Sequence, residues 1–247
     1  MKHDFLLSVL LALSASPVLA AGGSVQLPTA EEIVVQMDAH DLQRQASMKG
    51  YVGMRRYILE NQRFHKRAEM LVRVRTDDNG TKHFDVVSEE GWQGANTHVF
   101  RKMLESETET SLPGMRAQVK LSLQNYEFQL TGTELAKGRK AYVLEVNPKR
   151  KEKYLFCGRI WVDAEDYALV RAEGNPAKKT SFWIRKTQFV QVNQKNGTAW
   201  FPVSTQSVTD ALIFGSTEVN IEYFDYAPKQ PLPTNSFALS ADEEPAP

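Results

Sequence analysis

The 247-residue sequence predicts a mainly β (α+β) fold: a strongly curved antiparallel sheet of about ten strands, forming an open half-barrel covered by two or more helices. Three observations predict it. Apolar and polar residues alternate with a period of two through most of the chain from Tyr51 to Tyr226. Turn-forming clusters such as Asp77-Asp78-Asn79-Gly80 and Asp163-Ala164-Glu165-Asp166 interrupt that alternation. Helical periodicity is confined to two stretches. Alternation with one charged face belongs to antiparallel sheets, because parallel sheets are buried on both sides.

The chain opens with Met1-Lys2-His3-Asp4, an apolar run from Phe5 to Leu13, and Val18-Leu19-Ala20-Ala21. This is the pattern of a secretory signal peptide, residues 1–20, cleaved after Ala20. Its apolar run is well short of the roughly 20 residues that span a bilayer. Residues 21–28 form a linker, 29–226 the domain, and 227–247 an acidic, proline-rich disordered tail. The single cysteine, Cys157, is far from the cleavage region and cannot form an internal disulfide. It lies in the run Tyr154-Leu155-Phe156-Cys157-Gly158 and is expected to be a buried, inert thiol. An exported chain of this size without disulfides suits the bacterial periplasm. Its formal net charge of zero argues against nucleic acid as a partner.

Thr29 and Glu32 have capping-box spacing, and Ile33, Val34, Met37 and Leu42 follow at helical period, so a first helix starts here. From Tyr51 the period becomes two. Ala68, Met70, Val72 and Val74 form an apolar face opposite mostly charged neighbours, and Phe84 and Val86 continue it after the turn at Asn79-Gly80. A second helix is predicted from Ala95 to about Glu109, carrying Val99, Phe100, Met103 and Leu104 and ending at Pro113-Gly114. Further strands carry Tyr126, Phe128 and Leu130; Tyr142, Leu144 and Val146; then Tyr154, Phe156, Ile160 and Val162. Others run from Ala168 to Glu173, Phe182 to Val192, Ala199 to Val208 and Thr217 to Tyr226, the last with Val219, Ile221 and Tyr223 on one face. Trp161, Trp183, Phe189 and Phe224 read as aromatics on the second face, packed under loops or against a partner protein.

Strands twist by about 20 to 25 degrees against each neighbour, so an open sheet this wide curls into a half-barrel. Two short helices leave apolar strand surface to spare. The candidate walls of a hydrophobic cavity are Met70, Val72, Phe84, Val86, Tyr126, Phe128, Leu130, Tyr142, Leu144, Tyr154, Phe156, Ile160, Val219, Ile221 and Tyr223.

Tyr142-Val143-Leu144-Glu145-Val146, Lys149-Arg150-Lys151, Gly158-Arg159-Ile160-Trp161-Val162-Asp163, Phe182-Trp183-Ile184-Arg185-Lys186 and Trp200-Phe201-Pro202 resemble bacterial proteins of the outer-membrane lipoprotein-sorting family. These are relatives of the periplasmic lipoprotein carrier and its outer-membrane receptor. The resemblance follows element order over about residues 50 to 226. It implies a curved antiparallel sheet covered by helices around a cavity that receives acyl chains, and it brings over no particular functional residue.

Motifs for chemistry are absent from the sequence: no zinc-protease helix, nucleophile elbow or phosphate loop. His40, His65, His83 and His98 stand singly, and Asp38-Ala39-His40-Asp41 spreads over different sides of a helix. Asp163 to Asp166 lacks the glycine and ligand rhythm of a calcium loop and reads as a hairpin turn. Asn79-Gly80-Thr81 and Asn196-Gly197-Thr198 read as turns in preference to glycosylation sites.

Charge is uneven: fourteen Lys and Arg against six Asp and Glu from Lys137 to Lys195, and one Lys against seven acids after Asn196. The segment Lys149 to Lys153 is a candidate for membrane or partner-protein docking, or else a solvated hairpin tip.

The reading is a periplasmic, non-enzymatic binding or carrier protein for lipid or lipidated protein cargo, with no cofactor and no metal. The alternative is a protein-interaction or envelope-sensor module on the same fold. An enzyme, built on an acid pair such as Glu145 with Glu173, comes third.

Overall fold

The computed structural model describes residues 27–47, 51–178, 183–197 and 199–228. The expected signal peptide, most of the linker, Phe182 and the tail from Lys229 lie outside the described residues.

The capping box at Thr29 forms as the spacing predicts: the Glu32 amide donates to Thr29 Oγ1 at 3.2 Å, and the Thr29 amide donates to Glu32 Oε2 at 2.8 Å. It starts α1 (Ala30–Ser47). Three strands follow, β1 (Tyr51–Asn61), β2 (Lys66–Thr76) and β3 (Lys82–Gly91). Helical chain comes next: α2 (Gln93–Ala95), a π-helical turn at Asn96–Phe100, α3 (Arg101–Ser111) and α4 (Pro113–Val119). Seven more strands complete the chain: β4 (Tyr126–Ala136), β5 (Arg139–Pro148), β6 (Phe156–Asp163), β7 (Leu169–Pro176), β8 (Ile184–Asn196), β9 (Ala199–Ala211) and β10 (Gly215–Pro228).

All ten strands form one antiparallel sheet in the order β3-β2-β1-β10-β9-β8-β7-β6-β5-β4. It is an open half-barrel, as the alternation predicts. The pairing of β1 with β10 joins the first three strands to the last seven. The two edge strands, β3 and β4, are therefore consecutive in sequence, and the helical segment between them runs as a strap from one edge of the sheet to the other.

Register places Tyr57, Met70 and Ile221 side by side, with Leu59, Ala68 and Val219 in the next row. These bury against Ala95, Phe100 and Leu104 of the strap in one core. A second core forms where Ile33 and Met37 of α1 meet Tyr126, Tyr142, Leu144, Val146, Ile160 and Val162 from β4 to β6. Between them the inner face changes character. Thr205, Ser207 and Thr209 on β9 stand in register with Gln191, Phe189 and Thr187 on β8, and the Thr187 and Thr209 hydroxyls share a 3.1 Å hydrogen bond. The expectation of apolar strand surface to spare is thus corrected for β8 and β9: the middle of the half-barrel is largely polar.

Other expectations are corrected too. Pro113 does not end the helical region but opens α4, where its fixed φ and missing N–H suit the first helical position. Leu42 is exposed, whereas Ile33, Val34 and Met37 are buried. Phe189 lies on the inner face, 5.1 Å from the Phe156 ring. β8 carries so little hydrophobic alternation that its phase could not be read. Cys157 is half-buried on the outer face, its Sγ 3.8 Å from the Asn175 carbonyl.

Glu145 and Glu173 share the outer face, but β6 separates them. Arg159 sits between the two in register, and Glu173 is bound by Arg159 and Arg171, each at 2.6 Å. Asp163, fully buried, accepts from Arg139 at 2.5 and 2.8 Å and from the amides of Glu165 and Asp166. The acidic turn is thus neutralised from within the chain.

Candidate functional site

The strap meets the sheet through one group of charges. Arg55 on β1 belongs to the inner row with Tyr57 and Leu59, and only 5% of it is exposed. Its guanidinium donates to Glu107 Oε2 of α3 at 2.5 Å and to the Tyr57 hydroxyl at 3.3 Å. It also lies over two aromatic rings, Tyr223 at 4.8 Å and Phe84 at 5.3 Å. Lys82, the first residue of β3, donates to the other Glu107 oxygen at 2.6 Å. Two cations from the sheet therefore hold one carboxylate from the strap.

The electrostatics follow from that geometry. Burial pushes the Glu107 carboxyl up, but Lys82 and Arg55 outweigh it and hold the group at about 2. Burial raises the Tyr57 and Tyr223 hydroxyls, with Arg55 pulling the other way, so both stay neutral. Tyr223 and Thr205 share a hydrogen bond of 3.0 Å at the border of the polar middle.

A pH dependence follows. The folded pKa of Glu107 is below its ordinary 4.5, so folding favours the ionised form. That stabilisation is complete above pH 4.5 and is lost as pH falls toward about 2. Glu107→Gln removes it. The melting-temperature difference between wild type and this variant is expected to be largest near neutral pH and to shrink through that acid window; thermal melts across pH check it.

An open groove of about 670 Å³ runs along the free edge of β3, between that strand and α3. Phe84, Val86, Leu104 and Leu112 give it apolar surface, and Arg75, His83 and Arg101 face Asp85, Glu105 and Glu109 around its rim.

The predicted wall residues divide among these regions. Met70, Val72, Val219 and Ile221 are buried in the strap core, with Phe84 and Tyr223 at its margin. Tyr126, Tyr142, Leu144 and Ile160 are buried in the α1 core, with Phe128, Leu130 and Phe156 packed against it. Val86 is 38% exposed and lines the groove. Tyr154 lies in the turn before β6, where its hydroxyl donates to Glu109 and accepts from Lys153. The fifteen residues do not surround a single cavity.

The basic segment is more than a solvated tip. Arg150 donates to Asn125 Oδ1 at 2.8 Å and to the Gln118 carbonyl, and Lys149 donates to the Leu123 carbonyl at 2.7 Å. Together they tie α4 and the turn after it to the end of β5.

Arg55, Lys82 and Glu107 were not singled out from the sequence. The available signal was phase: Arg55 takes the place of an apolar residue two before Tyr57, and Glu107 lies on the helix face of Phe100, Met103 and Leu104. Among the described residues no cluster of His, Cys, Asp and Glu has the arrangement of a metal site. No described helix is long and apolar enough to cross a membrane.

Residues 120–226 match a family described only as of unknown function, DUF5686. No curated protein matches in sequence. Several solved structures are similar at low identity. One is a DUF1329 family protein from Desulfovibrio piger, with 13% identity and a TM-score of 0.42 over 82% of this chain and 93% of that one. Another is a LolA superfamily protein from Nitrosomonas europaea, with 11% identity and a TM-score of 0.43 over 84% of this chain and 96% of that one. A third is described as a putative outer membrane lipoprotein-sorting protein domain from Vibrio parahaemolyticus, with 12% identity and a TM-score of 0.43 over 84% of this chain and 97% of that one.

Proposed function

We propose that the protein is a non-enzymatic carrier or binding protein of the periplasm that takes acyl chains of lipid or lipidated protein at the seam between β3 and α3. The observation that carries this reading is that seam. An open groove reaches Phe84 and Val86 at the margin of an apolar core, and the cover of that core is held by the buried Arg55 paired with the half-buried Glu107, which Lys82 also binds. An ion pair with one partner buried adds little net stability over an apolar contact of the same shape. It therefore suits a cover that parts from the sheet and returns to one position. Parting α3 would expose the inner surface of β1, β2, β3 and β10 to an acyl chain, at about 0.8 kcal/mol gained per buried CH₂. The word-level resemblance from Tyr142 to Pro202 to lipoprotein-sorting proteins agrees with this reading.

The test is a fluorescent fatty-acid titration on delipidated protein, with displacement by unlabelled lipid. Wild type is expected to saturate with one site per chain. Val86→Trp fills the groove from an exposed position that the core does not need, and should weaken binding about tenfold or more at unchanged melting temperature. No saturable binding by wild type defeats the proposal.

A second reading is a protein-interaction module, favoured by β3 itself. It is an edge strand whose residues from Asp85 to Gly91 are exposed, so an extended peptide can add to it. In that case a peptide partner, and no acyl probe, competes at the β3 edge.

A further inference from the structure

Among the described residues, the large exposed aromatics gather at one end of the sheet. The tip between β9 and β10 presents Leu212, Ile213 and Phe214, and the tip between β1 and β2 presents Phe64. Phe64 and Phe214 are 44% and 48% exposed, yet their rings meet edge to face at 6.1 Å. The two tips are built to stay together. Asn61 donates to the Phe214 carbonyl at 2.8 Å, and Arg63 donates to the Ile213 carbonyl at 2.9 Å. The Leu212 amide donates to the Trp183 carbonyl at 2.9 Å, which adds the start of β8, where Trp183 is 53% exposed. A fixed tip that displays five large apolar side chains gives up burial that folding would otherwise use.

Charge says what meets it. Arg63, Lys66, Arg185 and Lys186 surround the tip and are exposed. Nearby acids offset part of this: Asp210 is 4.0 Å from Arg185, and Glu60 and Glu69 hold Arg67. Aromatic and aliphatic tips inside a ring of Lys and Arg complement an anionic lipid surface, where rings settle at headgroup depth and cations meet phosphate.

We propose that this end of the half-barrel docks on bilayers containing anionic lipid, with Phe64, Ile213 and Phe214 inserted among the headgroups. The proposal goes beyond cargo binding and does not depend on it, since docking is read on protein that has bound no acyl probe.

Sedimentation with vesicles of phosphatidylcholine and phosphatidylglycerol in equal parts, against phosphatidylcholine alone, tests it. Wild type is expected to partition onto the mixed vesicles and to be released as salt rises. Phe64→Ser with Phe214→Ser should lower that partitioning at least about tenfold, and Lys66→Gln with Lys186→Gln about fivefold per charge. Circular dichroism melts confirm that both double variants remain folded; if the serine pair lowers the melting temperature, Ile213→Ser alone takes its place. Partitioning that is absent, indifferent to lipid charge, or unchanged in the folded tip variants overturns the proposal. So does self-association of wild type through the tips, seen in sedimentation velocity and abolished by the same variants, without vesicle binding.

Discussion

Glu107→Ala is expected to lower the unfolding free energy by about 3–5 kcal/mol, because it leaves the Arg55 guanidinium buried against Tyr57 without its counter-charge. Lys82 adds to the loss, since it too faces the vacated position and now repels Arg55. In a domain of this size that is a fall of more than about 6 °C in melting temperature. The informative partner is Arg55→Leu with Glu107→Leu. Removing both charges also removes the desolvation they cost, so the double variant should recover to within about 1 kcal/mol of wild type. Equilibrium denaturation measures both. If the double variant is as unstable as Glu107→Ala, the cluster contributes as an irreplaceable network, and the reading of a separable cover loses its physical basis.

Phe100→Ala is the second large effect, expected at about 3–5 kcal/mol. Phe100 is fully buried at the end of the π-helical turn, its ring 5.7 Å from that of Tyr57. Truncating it leaves a void between strap and sheet that neighbouring strands cannot close. The two inner cores are separate clusters with the polar faces of β8 and β9 between them. The loss should therefore concentrate in one half of the molecule. Hydrogen exchange is expected to accelerate from Gln93 to Val119 well before it does from Ala30 to Met37. Uniform acceleration in both helical regions would mean that the cores behave as one unit.

The strand phases were legible wherever one face is wet and the other dry. β2 shows this: Ala68, Met70, Val72 and Val74 alternate with mostly charged neighbours in sequence and are buried in the fold. The cap of α1 was legible because it is local: Thr29 and Glu32 satisfy each other's amides across three residues. Phe189 was not, since Phe189 and Val190 on β8 put apolar residues in both phases and no alternation fixes its side. Tyr154 kept the parity of β6 but lies before the strand begins, because the turn from Lys149 takes it up. The candidate site was legible only in its apolar part. Arg55 and Glu107 are 52 positions apart, and nothing local to either announces the other.

By itself the sequence determined what each segment can do with its own neighbours: where the chain is extended, where it turns, which helix starts at Ala30, and that ten antiparallel strands must curl. The tertiary structure alone decided which strands meet. Pairing of β1 with β10 makes β3 and β4 the edges, and that turns the helices between them into a strap across the opening. It also decided that the apolar surface is shared between two cores, and that Arg55, Lys82 and Glu107 meet beneath α3. The physical reason is range. Periodicity, capping and turn chemistry act over a few residues and are written in order along the chain, whereas a buried charge finds its partner only once the strands around it have closed.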